Sequence, residues 1–229
     1  MAISFVFGPC WNNLHTLINT IENNCKMIPD LKNIYIVTND SNVCEYFIKL
    51  KNNKIKCKKF SENEGHQTSC FNAIISGMKM VLEYDDKYDD SENNDDIIIF
   101  SHEDVYINDM VLFNNALSKI KKGYDIVCRL YEGTKKGESR DYYMNDAFFI
   151  KKNKIKEIFG NSNMMTIYPG MFCEGEFTKI IQNFKIFYIP YYNHSTHKDS
   201  ELGFYHILNY DIGNIPFWDK SNIKEICNL

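Results

Sequence analysis

Two adjacent carboxylates, Glu103 and Asp104, stand just past a run of four large apolar residues, Ile97-Ile98-Ile99-Phe100, with Ser101 and His102 between. Such a run reads as a strand covered on both faces, and in open α/β sheets ligands bind beyond the carboxyl ends of such strands. Hard oxygen donors placed there suit Mg²⁺ or Mn²⁺, which takes one or two carboxylates and leaves its other positions to substrate phosphates. Strand-end acids also open ordinary loops, so the pair needs support from elsewhere. A second group is Gly65-His66-Gln67-Thr68-Ser69, directly before an amphipathic helix. The free N–H groups and positive dipole end of a helix start suit a phosphate, although a plain cap with a surface histidine would look the same. The third group is Phe172-Cys173-Glu174-Gly175-Glu176-Phe177, where a loop becomes a helix. Either Glu174 or Glu176 could take a proton from an attacking hydroxyl, while first-turn acids are also favoured by the macrodipole alone. His194 and His197 could add a metal ligand, though histidines in a polar stretch are more often simply exposed.

The elements that must position these groups alternate. Apolar strands are expected near 3–7, 33–38 and 54–59, with helices within 11–27 and 42–50 between them. This βαβαβ order predicts an α/β fold with a mostly parallel central sheet, right-handed crossovers and flanking helices. Phe71, Ile74, Ile75, Met78, Val81 and Leu82 recur at helical spacing and form one stripe that must pack on the sheet. Residues 83–96 carry eight acids in fourteen positions but lack the central glycine and terminal glutamate of a calcium loop, so they read as a solvated connection. A helix follows at 109–122, then strands at 124–129 and 145–150, a polar glycine-containing loop at 131–142 between them, a helix near 174–183 and a strand at 185–189. From about residue 160 the pattern is irregular, and there is no internal repeat.

Composition narrows the classes. At 229 residues, one domain is the expectation, and 44% hydrophobic with 24% charged residues is the balance of a soluble globular chain. The start, Met1-Ala2-Ile3-Ser4-Phe5-Val6-Phe7, reads as a first strand rather than a secretory signal, and no apolar run approaches a membrane span, so cytoplasmic residence is expected. Eight cysteines without C-x-x-C spacing read as reduced core residues. The basic side is 24 Lys (26 less two) against only Arg129 and Arg140, so the bidentate contacts of nucleic-acid readout are nearly absent. The 27 Asn and the Lys-rich runs at 49–59 and 151–156 read as compositional bias. There is no dinucleotide fingerprint, P-loop, nucleophile elbow or H-E-x-x-H, which removes the usual support for four enzyme classes.

The first strand with its Gly8-Pro9 turn, the helix from Gly65-His66-Gln67 to Gly77, and the strand ending in Ser101-His102-Glu103-Asp104-Val105-Tyr106 together resemble a GT-A-fold glycosyltransferase of the family-2-like kind, over roughly residues 3–197. The resemblance implies a single domain over 1–229, with a nucleotide-binding half at about 1–108, an acceptor half at about 109–200 and a tail at 201–229. It also implies a metal-dependent transfer of a sugar from a nucleotide-diphosphate donor to a hydroxyl acceptor such as a glycan, with inversion. The family's Asp-x-Asp motif is matched here by His102-Glu103-Asp104, which makes Asp104 the favoured ligand for Mn²⁺ or Mg²⁺, with His197 as a further one. Phe7, Gly8, Pro9, Asn39, Asp40, His66, Gln67, His102 and Glu103 would border the nucleotide-sugar, and Glu174 or Glu176 would be the acceptor-side base. Two rivals stand beside this reading. One is a nucleotidyltransferase that forms sugar nucleotides, although such enzymes usually carry a Gly- and Arg-rich loop after the first strand where this chain has Gly8-Pro9-Cys10-Trp11-Asn12-Asn13. The other is a non-catalytic module that binds sugar nucleotides.

Overall fold

A computed structural model describes residues 1–10, 14–28, 31–60, 66–88, 96–160, 172–191 and 204–206. The chain opens with β1 (Ile3–Cys10), α1 (Leu14–Met27), β2 (Leu31–Thr38), α2 (Ser41–Lys49), β3 (Ile55–Lys59) and α3 (His66–Tyr88). It continues through β4 (Ile97–Ser101), β5 (Val105–Ile107), α4 (Met110–Lys121), β6 (Ile126–Tyr131), a 3₁₀ turn (Gly133–Lys136), β7 (Tyr142–Tyr143), β8 (Ala147–Lys151) and α5 (Lys152–Phe159). The last described elements are α6 (Cys173–Ile181), β9 (Ile186–Tyr191) and β10 (Phe204–His206).

The sheet runs in the order β3-β2-β1-β4-β8-β6-β7, with β9 also paired to β6. β3, β2, β1 and β4 are mutually parallel, β9 is parallel to β6, and β8 runs antiparallel to both β4 and β6. Strict alternation along the strands divides the core. Phe5, Phe7, Ile34, Ile36, Ile97 and Ile99 face the cluster containing α1, α2 and α4. Val6, Tyr35, Val37, Ile98 and Phe100 face the cluster containing α3, α5 and α6. The result is a three-layer sandwich in which the sheet is apolar on both faces, as the continuous apolar strands require. The stripe of α3 is in that second cluster, with Phe71, Ile74, Ile75, Met78 and Val81 all buried.

Four elements depart from expectation. The Lys-rich run beginning at 151 is the helix α5, whose Ile155, Ile158 and Phe159 meet the core at i, i+3 and i+4 while the lysines alternate outward. β5, β7 and β10 are two or three residues each, too short to show a period. The stretch 83–96 is helical as far as Tyr88, and 89–95 lies outside the described residues. No helix among the described residues is long and apolar enough to cross a membrane.

Candidate functional site

β1 lies between β2 and β4, so the chain leaves its carboxyl end toward one side of the sheet through β2 and β3 and returns on the other side through β4. This is the reversal of strand order at which open α/β sheets form a crevice. Phe7 pairs with Ser101, and Cys10 with Thr38, so Gly8, Pro9, Thr38 and Ser101 all reach the same edge. The Phe7 side chain is wholly buried and stacks on Phe5 at 5.1 Å, leaving only its backbone toward the crevice. At Gly8 a Cβ would lie 3.2 Å from both the Ala73 Cβ and the Val37 carbonyl, so glycine lets α3 close against this edge. Asp40, half-buried beside half-buried Asn39, caps α2: its Oδ1 accepts the Asn42 N–H at 2.8 Å.

Beyond β4 the chain makes a tight turn. The Val105 N–H donates to the His102 carbonyl at 3.2 Å, and the Ser101 hydroxyl lies 3.0 Å from the carbonyls of both His102 and Val105. Glu103 and Asp104 are the two central residues of this turn and both are half-buried. The turn is held from two sides. Behind it, Asn24 accepts the Ile107 N–H at 2.8 Å and Asn23 donates to the Ile107 carbonyl at 2.9 Å, which fixes β5 to α1. On the other side the His102 N–H donates to the Asp146 carbonyl at 2.9 Å, and the Asp146 carboxylate is ion-paired with Arg129 in the interior. Arg129 and Asp146 are 2% and 5% exposed, so neither charge would be tolerable without the other.

Asn145 carries the connection onward. Its side-chain amide donates to the Cys173 thiol at 2.6 Å, which brings the start of α6 to the start of β8. Cys173 is in turn hydrogen-bonded to Cys70 of α3, so the early turns of α3 and α6 meet. Burial raises the thiols of Cys25, to about 12, and of Cys128, and the bond to Cys70 together with burial raises that of Cys173, so they remain protonated. Cys25, Cys44, Cys57, Cys70, Cys128 and Cys173 are free thiols, as the spacing suggested.

The two glutamates of α6 differ. Glu176 is 8% exposed and its Oε1 is ion-paired with Lys179 at 2.7 Å. Glu174 is half-buried, and its Oε2 is shielded from solvent with no hydrogen-bond partner among the described residues. Tyr142 is pushed up to about 12, first by desolvation and next by the charge of Glu174, so its hydroxyl stays a donor facing that carboxylate's field.

Of the positions read from the sequence, the structure places Gly8 and Pro9, Asn39 and Asp40, and the turn of His102, Glu103 and Asp104 at the carboxyl ends of β1, β2 and β4, while Glu174 and Glu176 stand at the start of α6, which Cys173 and Asn145 tie to the start of β8. His66 and Gln67 open α3, while His197 lies outside the described residues. Sequence reasoning missed Arg129, Asn145, Asp146 and the pair Asn23 and Asn24. It also missed that β10 places His206 opposite Val105, one residue along from Asp104. Two carboxylates in a turn fit Mg²⁺ or Mn²⁺ held jointly with phosphates, and among the described residues no group of three or more ligating side chains forms an all-protein cage.

No family model matches the sequence, and no curated relative matches it either. Among solved structures it is similar to a CMP:2-keto-3-deoxy-manno-octonic acid synthetase complexed with CTP, at 9% identity and a TM-score of 0.50 over 84% of this chain and 91% of that one. It is also similar to a Bacillus anthracis protein assigned as a glucose-1-phosphate thymidylyltransferase, in complex with a sucrose, at 11% identity and a TM-score of 0.48 over 83% and 86% of the two chains. What is shared with the synthetase is the fold, a mostly parallel sheet flanked by helices as the alternating pattern predicted.

Proposed function

We propose that this protein is a transferase of nucleotide-activated sugars that binds its nucleotide beyond the carboxyl ends of β1, β2 and β4. The observation that carries the reading is the acid turn Glu103-Asp104 standing at the reversal of strand order. Asp104, with Glu103 beside it, would hold Mn²⁺ or Mg²⁺, and the cation when bound neutralises phosphate charge. The protein's own part is to fix that turn through Asn24 and Asp146 and to present a carboxylate from α6.

Two chemistries fit this frame. In the first, an oxygen of a sugar or sugar phosphate attacks the α-phosphorus of a nucleoside triphosphate, a sugar nucleotide forms and pyrophosphate departs. The solved synthetase with CTP supports this one, and it has more backing from the comparisons than sugar transfer does. In the second, an acceptor hydroxyl attacks the anomeric carbon of a sugar nucleotide, its proton goes to Glu174 and the nucleotide leaves. The sequence supports this one, because Gly8-Pro9-Cys10, which ends β1, and Trp11-Asn12-Asn13 after it together have no arginine and one glycine.

One set of incubations separates them. The full chain with Mn²⁺ is given nucleoside triphosphates plus hexose 1-phosphates or acidic sugars, and separately sugar nucleotides plus glycans. Sugar-dependent pyrophosphate release identifies formation, and release of a nucleotide from the sugar nucleotide identifies transfer. Binding without either product identifies a non-catalytic module, and failure to bind any nucleotide defeats the reading altogether. Asp104→Ala is expected to abolish turnover while leaving the fold intact.

A further inference from the structure

A second concavity, of about 350 Å³, opens on the outer side of α6, lined among others by Arg140, Tyr142, Phe172, Gly175, Glu176 and Lys179. Its wall is aromatic: Tyr142 meets the Phe172 ring edge-on at 4.7 Å and stacks on Tyr131 at 4.8 Å. Gly175 keeps it open, since a Cβ there would come within 2.9 Å of the Phe172 ring.

The charges in this wall are mostly committed. Glu176 is ion-paired with Lys179, and Asp141 accepts from the backbone N–H and hydroxyl of Thr134 at 2.9 and 2.7 Å. Those two bonds hold the Asp141 carboxyl below its ordinary range, so it stays an acceptor bound to its own loop. Arg140 is different. Its guanidinium lies 4.9 Å from the Phe172 ring centre and forms no ion pair among the described residues. A guanidinium held over an aromatic ring and without an ion pair has its fork of donors available to a planar or tetrahedral oxyanion, which lysine cannot match in geometry. The backbone is preset for this: the 3₁₀ turn carries Gly133 so close to Arg140 that a Cβ would sit 2.5 Å from the Arg140 carbonyl oxygen. In a chain with 24 Lys and two Arg, one Arg is buried against Asp146 and the other is placed here.

We propose that this pocket binds the sugar that is the second substrate through an anionic substituent, a carboxylate or a phosphate, held by Arg140, with the sugar ring against Tyr142 and Phe172. Aromatic faces take the apolar face of a pyranose, and the fork of donors takes its charge. The proposal rests on the nucleotide-sugar reading for the identity of the ligand as a substrate, but the binding itself does not.

Saturation-transfer NMR on the full chain, without nucleotide or metal, tests it with three probes: glucose, glucuronate and glucose 1-phosphate. One of the two charged probes is expected to bind at least about tenfold more tightly than glucose, and which one it is identifies the oxyanion. Arg140→Lys, which removes the fork, and Arg140→Met, which removes fork and charge, are each expected to weaken that probe at least about tenfold with an unchanged melting temperature, because the side chain is exposed. Glucose binding as tightly as the charged probes, no binding of any probe, or full binding by Arg140→Met overturns the proposal. Nucleotide binding, measured on the same samples by quenching of intrinsic fluorescence, keeps the two readings apart. Loss of sugar binding with nucleotide binding retained refutes this pocket alone, whereas sugar binding without nucleotide binding upholds the pocket and refutes the proposed function.

Discussion

Glu174 and Glu176 are two positions apart in the first turn of one helix, yet their surroundings give them different chemistry. In Glu176 one carboxylate oxygen is already committed to Lys179. A shielded carboxylate oxygen with no described partner, as in Glu174, has a lone pair to give. The sequence showed both acids and left the choice open, because the partner that decides it is a neighbour in space. Under the sugar-transfer chemistry, Glu174→Gln is expected to lower turnover by roughly 10²–10⁴-fold at unchanged nucleotide affinity. Glu176→Gln is expected to change it by less than about tenfold, since the ion pair it weakens is to a mostly exposed lysine. Initial rates and melting curves of the two variants decide the assignment, and the reverse ranking would move the base to Glu176.

Among the elements, legibility followed length and period. β1 to β4 and α1 to α4 were readable because each is either a continuous apolar run or a helical stripe whose burial the sheet dictates. α5 was hidden by lysines as numerous as its three core residues, and β5 and β10 were hidden because their existence depends on pairing across about a hundred residues of chain. The same holds for the site: Glu103 and Asp104 were visible as strand-end acids, whereas Arg129 and Asp146 meet only because β8 runs antiparallel between β4 and β6. The packing of α3 on β1 has a sharper test. At Gly77 a Cβ would lie 2.4 Å from the Val6 Cγ1, and Val6 is wholly buried in a central strand. Gly77→Ala gains about 1 kcal/mol of helix propensity, but overpacking against a stiff β-branched side chain costs about 1–3 kcal/mol, so net destabilisation is expected. A lower urea midpoint at unchanged m-value would show it. A midpoint that rises would mean that Val6 yields and that the close approach is not what glycine provides.

At the scale of the molecule, the proposed nucleotide site is a seam. Two apolar clusters sit on opposite faces of one sheet, and the crevice lies where β1, belonging to the β3-β2-β1 side, meets β4, which carries the chain toward β8 and β6. A ligand there touches both sides, so its binding energy opposes separation of the whole sheet rather than fraying of one loop. Linkage then sets the size of the effect. A nucleotide present with Mn²⁺ at a hundred times its dissociation constant adds about 2.7 kcal/mol to the stability of the folded chain. For a chain of this size each kcal/mol is worth roughly 2–4 °C, so the melting temperature should rise by about 5–10 °C. A chelator should remove most of that rise, because phosphates facing Glu103 and Asp104 without a cation meet like charge. Asp104→Ala should remove the metal-dependent part while leaving the unliganded melting temperature close to that of the parent. Differential scanning calorimetry reads all three quantities in one series. A single transition that shifts as a whole is the expected form, whereas a nucleotide shift that survives both chelation and Asp104→Ala would place the phosphates somewhere other than the acid turn.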